Sequence, residues 1–244
     1  MKFRGLSPLT SYARWGLVGV ALGIVLGATG PQAIHLLTAS VGSGSSSLSW
    51  DASRLLAFLS YGALAASVIY GLLLSTKLLD AIAHRPITFT LHQDLASVGL
   101  GLAAIHGALL GLDTTVPTSI GQLLVPFATS YRPLWVGFGQ VSLYLMAAVV
   151  ASFYVRKRIG QRAWRMLHYL TFLSFAGATA HGLLSGTDTS SWGRWVYLTA
   201  TVPVVFLFVY RIVLAIGKPR GGGVPSRLPP AGQRPVASLP ATEA

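Results

Sequence analysis

The sequence contains no cysteine and very few charged residues. The lack of cysteine among 244 residues excludes disulfides, thiolate catalysis and cysteine-ligated iron centres. Only 10% of the residues are charged and 52% are hydrophobic, whereas soluble globular proteins carry about 25% charged residues. The composition therefore excludes an ordinary soluble domain and indicates a membrane protein.

Long apolar runs divide the chain into candidate membrane spans. Windows of about 19 residues select six segments, at residues 15–37, 52–74, 90–112, 134–154, 164–184 and 195–216. We therefore predict an all-α membrane protein built as a six-transmembrane helix bundle. Residues 1–14 form a basic N-terminal lead, 15–217 one membrane domain, and 218–244 a tail rich in Pro, Gly and Arg that we expect to be disordered.

The net charge of +12 arises from 18 basic and 6 acidic residues. In the six-span arrangement all basic residues except Arg54, Arg132 and Arg194 lie on one side of the membrane. Because basic loops stay inside, we expect both termini in the cytoplasm and a multi-pass protein of the cell membrane, in a bacterium the plasma membrane. Anionic lipid headgroups of the bilayer account for the charge, so we expect no nucleic-acid partner.

Four histidines lie within two of the apolar segments, where ionisable side chains are costly and usually functional. His92 and His106 are separated by about 21 Å of helix rise on the third segment and share a face. His168 and His181 are separated by about 19.5 Å on the fifth segment but project about 140° apart. Both segments run outward, which places His92 and His168 near the inner membrane surface and the other two histidines near the outer one.

Two histidine pairs at two depths are what two stacked b-type haems require, because each haem iron accepts two axial imidazoles. We therefore predict two bis-histidine haems b, and a proton relay or another metal site are the alternatives. A non-haem, proton-coupled transporter would use the same histidines. Both outer histidines begin the pattern H-G-x-L-x-G-x-D, whose glycines favour close helix packing and leave room for a flat macrocycle.

Five neighbouring residues are candidates for secondary roles: Asp94, Arg54, Arg85, Arg165 and Phe175. Asp94, within a turn of His92, is a candidate to accept a hydrogen bond from a ligand imidazole or to pair with an arginine. The arginines are candidates to pair with haem propionates, the alternative being contact with lipid headgroups. Phe175 is either a core residue or an aromatic relay between the haem levels. The connection 113–133 contains an apolar stretch, 120–127, that predicts a short helix or lid at the membrane surface.

Six spans, H-x13-H on the third, H-x12-H on the fifth and basic inner loops resemble the ferric reductase-like transmembrane domain. This domain is shared by ferric reductases, NADPH oxidases and the haem subunit of bacterial methionine sulfoxide reductase, and the resemblance covers residues 15–217. It implies that His92, His106, His168 and His181 ligate two haems b. It also implies electron transfer from a cytoplasmic-side donor to an extracytoplasmic acceptor, as a component of an oxidoreductase.

The sequence departs from the oxidases and ferric reductases because no FAD- or NADPH-binding motif follows the membrane segments. We therefore expect FAD or a quinone to enter through a partner, with a separate flavoprotein reductase or a quinol as the electron donor. The acceptor is ferric iron, oxygen or an extracytoplasmic partner protein. In the last case, the chain is a haem-binding membrane anchor subunit that supplies electrons to a specific reductase.

Overall fold

A computed structural model describes residues 48–78, 80, 83–112, 118–190 and 192–217. These residues form α-helices, one short 3₁₀ helix and connecting turns, without a strand in the described ranges. The helices are α1 (Leu48–Thr76), α2 (Arg85–Leu110), α3 (Ile120–Leu124), α4 (Pro133–Ile159), α5 (Gln161–His168), α6 (Leu170–Ser185) and α7 (Gly193–Ile216). The 3₁₀ helix Thr187–Ser190 lies between α6 and α7. The predicted basic lead, first span and disordered tail lie outside the described residues.

Among the described residues, four helices are long and apolar enough to cross a membrane: α1, α2, α4 and α7. They coincide with the predicted second, third, fourth and sixth spans, so an all-α membrane protein is confirmed at this level. The predicted fifth span is instead divided between α5 and α6, and α6 alone has 16 residues. Pro203 lies inside α7, which continues to Ile216.

The division between α5 and α6 falls at Tyr169, directly after His168. The Tyr169 amide donates to the carbonyls of Arg165 and Met166, at 3.3 and 3.2 Å, and the Phe172 amide donates to Tyr169 O at 3.1 Å. The last two bonds span three residues and wind the chain more tightly than an α-helix does. The break therefore changes the rotation between His168 and His181, which a straight helix would project to different sides.

Helix α1 lies at the centre of the bundle. Half of its most apolar window is buried, against 11–22% for the other three long helices. It packs along α2 on one side and α7 on the other, while α4 packs along α6. Tyr61 anchors the shared core, since its ring stacks on Phe175 at 5.6 Å and its hydroxyl bonds Thr179 and Thr201, each at 2.9 Å. Phe175 is thus a core residue, 5% exposed.

The apolar stretch of the 113–133 connection forms the short helix α3, as predicted. Ser119 caps it, since the Gln122 amide donates to Ser119 Oγ at 3.2 Å and the Ser119 amide donates to Gln122 Oε1 at 3.0 Å. Gln140 of α4 fastens it by donating to the carbonyls of Gln122 and Leu123, at 2.7 and 2.8 Å. We call α3 and the following turn, residues 119–127, the lid.

Candidate functional site: two histidine pairs

The structure brings the four membrane histidines together as two pairs. His106 of α2 faces His181 of α6, with ring centroids 6.3 Å apart and ring planes at 64°. His92 of α2 faces His168 at the end of α5, with centroids 5.9 Å apart and planes at 74°. We call the first the lid-side pair, because it adjoins the lid, and the second the basic-side pair, because α5 carries Arg162 and Arg165.

These separations match two imidazoles on opposite sides of one metal ion. A metal–nitrogen bond is about 2.0 Å long, and that nitrogen lies about 1.2 Å from the centre of its ring. Two imidazoles on opposite sides of a metal ion therefore have centroids about 6.4 Å apart. Within the described residues, no group of three or more His, Cys, Asp or Glu side chains forms a metal site. A bare zinc ion usually takes three or four protein ligands. Two ligands suit an iron whose other four positions are filled by a porphyrin.

Hydrogen bonds hold the lid-side imidazoles in one orientation. His106 Nδ1 lies 2.8 Å from the carbonyl oxygen of Ser53, and His181 Nδ1 lies 3.0 Å from that of Trp135. A carbonyl only accepts, so each Nδ1 carries the proton and each Nε2 keeps its lone pair. This is the arrangement that metal-binding histidines adopt, with the second nitrogen anchored to the protein.

The basic-side pair is anchored on one member only. His92 Nδ1 donates to the Ser67 carbonyl at 2.7 Å. His168 instead stacks on Trp164, one turn earlier on α5, with centroids 5.2 Å apart and planes at 29°. The indole N–H of Trp164 is buried, and no described residue accepts from it. A bound group with a hydrogen-bond acceptor would satisfy this N–H, and the propionates of a haem are such acceptors.

Two glycines give the imidazoles their space. A Cβ at Gly139 of α4 would lie 2.7 Å from Cγ and Nδ1 of His181, closer than real Cβ atoms approach. A Cβ at Gly71 of α1 would lie 3.1 Å from Cε1 of His92. Each of these positions therefore lets a histidine ring lie directly against the backbone of a neighbouring helix.

A cavity of ≈ 220 Å³ opens beside the lid-side pair. Its wall includes both histidines, Gly107 and Gly182 that follow them in the chain, and Gln122 of the lid. A Cβ at Gly107 would meet no atom within 4 Å. The glycine after His106 thus leaves open space at the cavity, as expected from the repeated pattern, whereas Gly182 is packed against the ring of Tyr197.

Arg54 lies on the wall of this cavity, where a propionate-binding role was predicted. Its Nε donates to Asp188 Oδ2 at 2.8 Å and its Nη2 donates to Asp188 Oδ1, and it also lies 3.4 Å from Asp51. Asp188 ends the second H-G-x-L-x-G-x-D pattern. The pair joins α1 to the 3₁₀ helix and closes the lid-side end of the bundle.

The other predicted neighbours lie near the basic-side pair or on the surface. Arg85 is exposed and pairs with Asp80 at 3.1 Å, and Arg165 is exposed on α5. Asp94 is half-buried, and His92 Nδ1 donates to the Ser67 carbonyl; a bond from Asp94 to a ligand imidazole or to an arginine stays a prediction. The structure therefore brings the four histidines together as two pairs, with Arg54 on the cavity wall of the lid-side pair, and places Arg85 and Arg165 at the basic end.

Sequence reasoning missed the residues that orient the imidazoles, above all Ser53 and Ser67. Both are buried on α1, where small polar residues are common in membrane helices. Their fourteen-residue spacing repeats that of His92 and His106, and this was the signal that could have found them. Gly139 carried no comparable signal, because its role depends on which helix lies opposite α4.

No family model, curated protein or solved structure matches this chain. The functional interpretation therefore depends on the geometry of the two pairs.

Proposed function

We propose that this chain is a transmembrane electron carrier that binds two haems b. His106 and His181 would ligate one haem, and His92 and His168 the other. The observation that carries the proposal is that both pairs face each other at the spacing of trans axial ligands, 6.3 and 5.9 Å between ring centroids. When bound, each haem supplies a one-electron ferric/ferrous couple.

The residues of the chain would position the two sites and keep water away from them. Helix α2 runs unbroken past both of its histidines, which holds the two levels about 21 Å apart along the bundle. The carbonyls of Ser53, Ser67 and Trp135 hold the proton of three imidazoles at Nδ1, which leaves their Nε2 lone pairs available. Tyr61 and Phe175 belong to the buried core of the bundle, which excludes solvent.

The direction of transfer follows from charge. We propose six spans with both termini in the cytoplasm, since residues 156–165, at the end of α4 and on α5, carry five basic residues and no acidic one. The basic-side pair would then receive electrons from a cytoplasmic-side donor, a flavoprotein reductase or a quinol. The lid-side pair would deliver them to an extracytoplasmic acceptor. These features support the resemblance to ferric reductase-like membrane domains.

The proposal is tested by the haem content of the purified protein. We expect about two haems b per chain by the pyridine haemochrome assay, and a reducible, low-spin b-type absorption spectrum. Replacing any one of the four paired histidines by alanine should remove one haem and leave the other reducible. His84→Ala is the matched control, because His84 is exposed at the start of α2 and should leave both haems in place.

Folded protein that stays colourless after expression with excess haem would refute the proposal. Two haems that both disappear in a folded His106→Ala variant would refute the two-level assignment. Transfer itself is measured in proteoliposomes, where reductant outside and ferricyanide inside should react in the wild type and not in either single-haem variant.

A further inference from the structure

Three buried serines on α1 meet the backbone of α2 at regular intervals. Ser53 Oγ donates to His106 O at 3.0 Å, Ser60 Oγ to Gly99 O at 2.8 Å, and Ser67 Oγ to His92 O at 2.8 Å. Each step of seven residues along α1 is matched by a step of seven residues back along α2. The two helices are therefore antiparallel and in one fixed register past both histidine levels.

Ser53 and Ser67 differ from Ser60 because their hydroxyls also contact a histidine ring. Ser53 Oγ also lies 2.8 Å from His106 Nδ1, and Ser67 Oγ lies 3.1 Å from His92 Nδ1, whereas Gly99 has no side chain to contact. Because the Ser53 and Ser67 hydroxyls give their protons to backbone carbonyls, their lone pairs are free to accept from Nδ1–H. Each of these serines thus contacts its histidine at three points: backbone carbonyl, hydroxyl oxygen and hydroxyl proton.

We propose that Ser53 and Ser67 are positioning residues that set the orientation and basicity of His106 and His92 independently, one serine for each histidine of α2. The inference rests on the proposed dihaem function. Acceptors at Nδ1 raise the basicity of an imidazole ligand and so favour the ferric state. Loss of one hydroxyl acceptor should therefore raise the reduction potential at its own level and leave the other level unchanged.

The test compares Ser53→Ala, Ser67→Ala and Ser60→Ala in spectroelectrochemical titrations of the holoprotein. Each variant loses one hydrogen bond from a serine hydroxyl of α1 to a carbonyl of α2. Only Ser53→Ala and Ser67→Ala also lose a contact to an imidazole. Each serine substitution is also made in variants that retain one haem. His92→Ala leaves the lid-side haem and His106→Ala leaves the basic-side haem, so each reduction potential can be assigned to its level. We expect the ratio of the ferric to the ferrous haem affinity to change roughly threefold at the matching level. At 59 mV per tenfold change, this raises the reduction potential of that haem by about 28 mV.

Ser60→Ala should leave both potentials at their wild-type values. A second substitution, Ser67→Cys, replaces the hydroxyl by a weaker acceptor of similar size and should shift the same potential by less. The inference would be overturned if the wild-type protein binds two haems but Ser53→Ala and Ser67→Ala have the same reduction potentials as Ser60→Ala. That result would leave the proposed function standing. Equal shifts of both haems in either variant would overturn the independence of the two levels. Wild-type protein without haem would refute the proposed function itself.

Discussion

Gly139→Ala should selectively disable the lid-side pair. The added Cβ would lie 2.7 Å from Cγ and Nδ1 of His181 and 3.0 Å from its Cδ2, while carbon atoms in contact prefer about 3.5–4.0 Å. The ring must then move away from α4 by about 0.8 Å. Trp135 lies one turn earlier on α4, so the same movement lengthens the 3.0 Å bond from Nδ1 to the Trp135 carbonyl. The resulting distance of about 3.8 Å is outside hydrogen-bonding range.

The expected size of the effect follows from these distances. Metal sites tolerate errors of about 0.2 Å in ligand distance, and losing the bond that orients a ligating histidine weakens metal binding by about 10- to 100-fold. We therefore expect the affinity for the lid-side haem to fall by at least about tenfold. Overpacking adds a destabilisation of about 1–3 kcal/mol. Helix propensity opposes this loss, since alanine is favoured over glycine by about 1 kcal/mol.

The assay is titration of haem into the apoprotein, followed by absorption and by haem per chain after gel filtration. Gly101→Ala is the control, because it makes the same substitution in a membrane helix where a Cβ meets nothing within 4 Å. We expect one haem per chain for Gly139→Ala and two for the control. Gly139→Ala with two haems and an unchanged titration would show that His181 is not held against α4 as described.

Three further variants test other parts of the site. Gly107→Ala should not lower the melting temperature of the apoprotein but should weaken lid-side haem binding, because its Cβ meets no protein atom within 4 Å and Gly107 lies on the cavity wall; equal haem affinity in titrations would contradict this. Gln140→Ala removes the two bonds from Gln140 to the carbonyls of Gln122 and Leu123 and the bond that Gln140 accepts from the Phe127 amide, while the bond from the Tyr144 hydroxyl to Leu124 O remains. Hydrogen exchange in residues 120–127 should become faster, and unchanged protection would show that Gln140 does not fasten α3. Tyr61→Phe removes the hydroxyl that bonds Thr179 and Thr201, while Thr179 keeps its bond to the Phe175 carbonyl; it should destabilise the bundle by about 1–3 kcal/mol in thermal melts, with both haems retained.

Hydropathy and spacing along the chain predicted most of the architecture. The four long helices begin and end within a few residues of the predicted spans. The length of an apolar run is set by the local sequence, and it must match the thickness of the hydrocarbon core of the bilayer. The pairing of His92 with His168 and of His106 with His181 also followed from spacing and topology. In both cases a helix rise of 1.5 Å per residue converts sequence distance into depth.

The orientation of the side chains was decided only by the packing of helices against one another. The thirteen-residue spacing of His168 and His181 did not project both rings to one side of a straight helix, and the helix is broken between them at Tyr169, where the tighter winding changes the rotation. Asp94 lies two residues from His92 in sequence, yet Ser67, on a different helix, anchors the His92 ring. No local pattern contains the register of α1 on α2, because that register depends on contacts between residues far apart in the chain.

By itself, therefore, the sequence determined that the chain enters a membrane as helices and that four histidines lie at two depths. Tertiary structure decided which nitrogen is free in His92, His106 and His181, which glycines make room for the rings, and that a lid adjoins one pair. The physical reason is that hydrophobicity acts on each segment alone, whereas hydrogen bonds and close contacts at His106 and His181 need two or three helices in a single register.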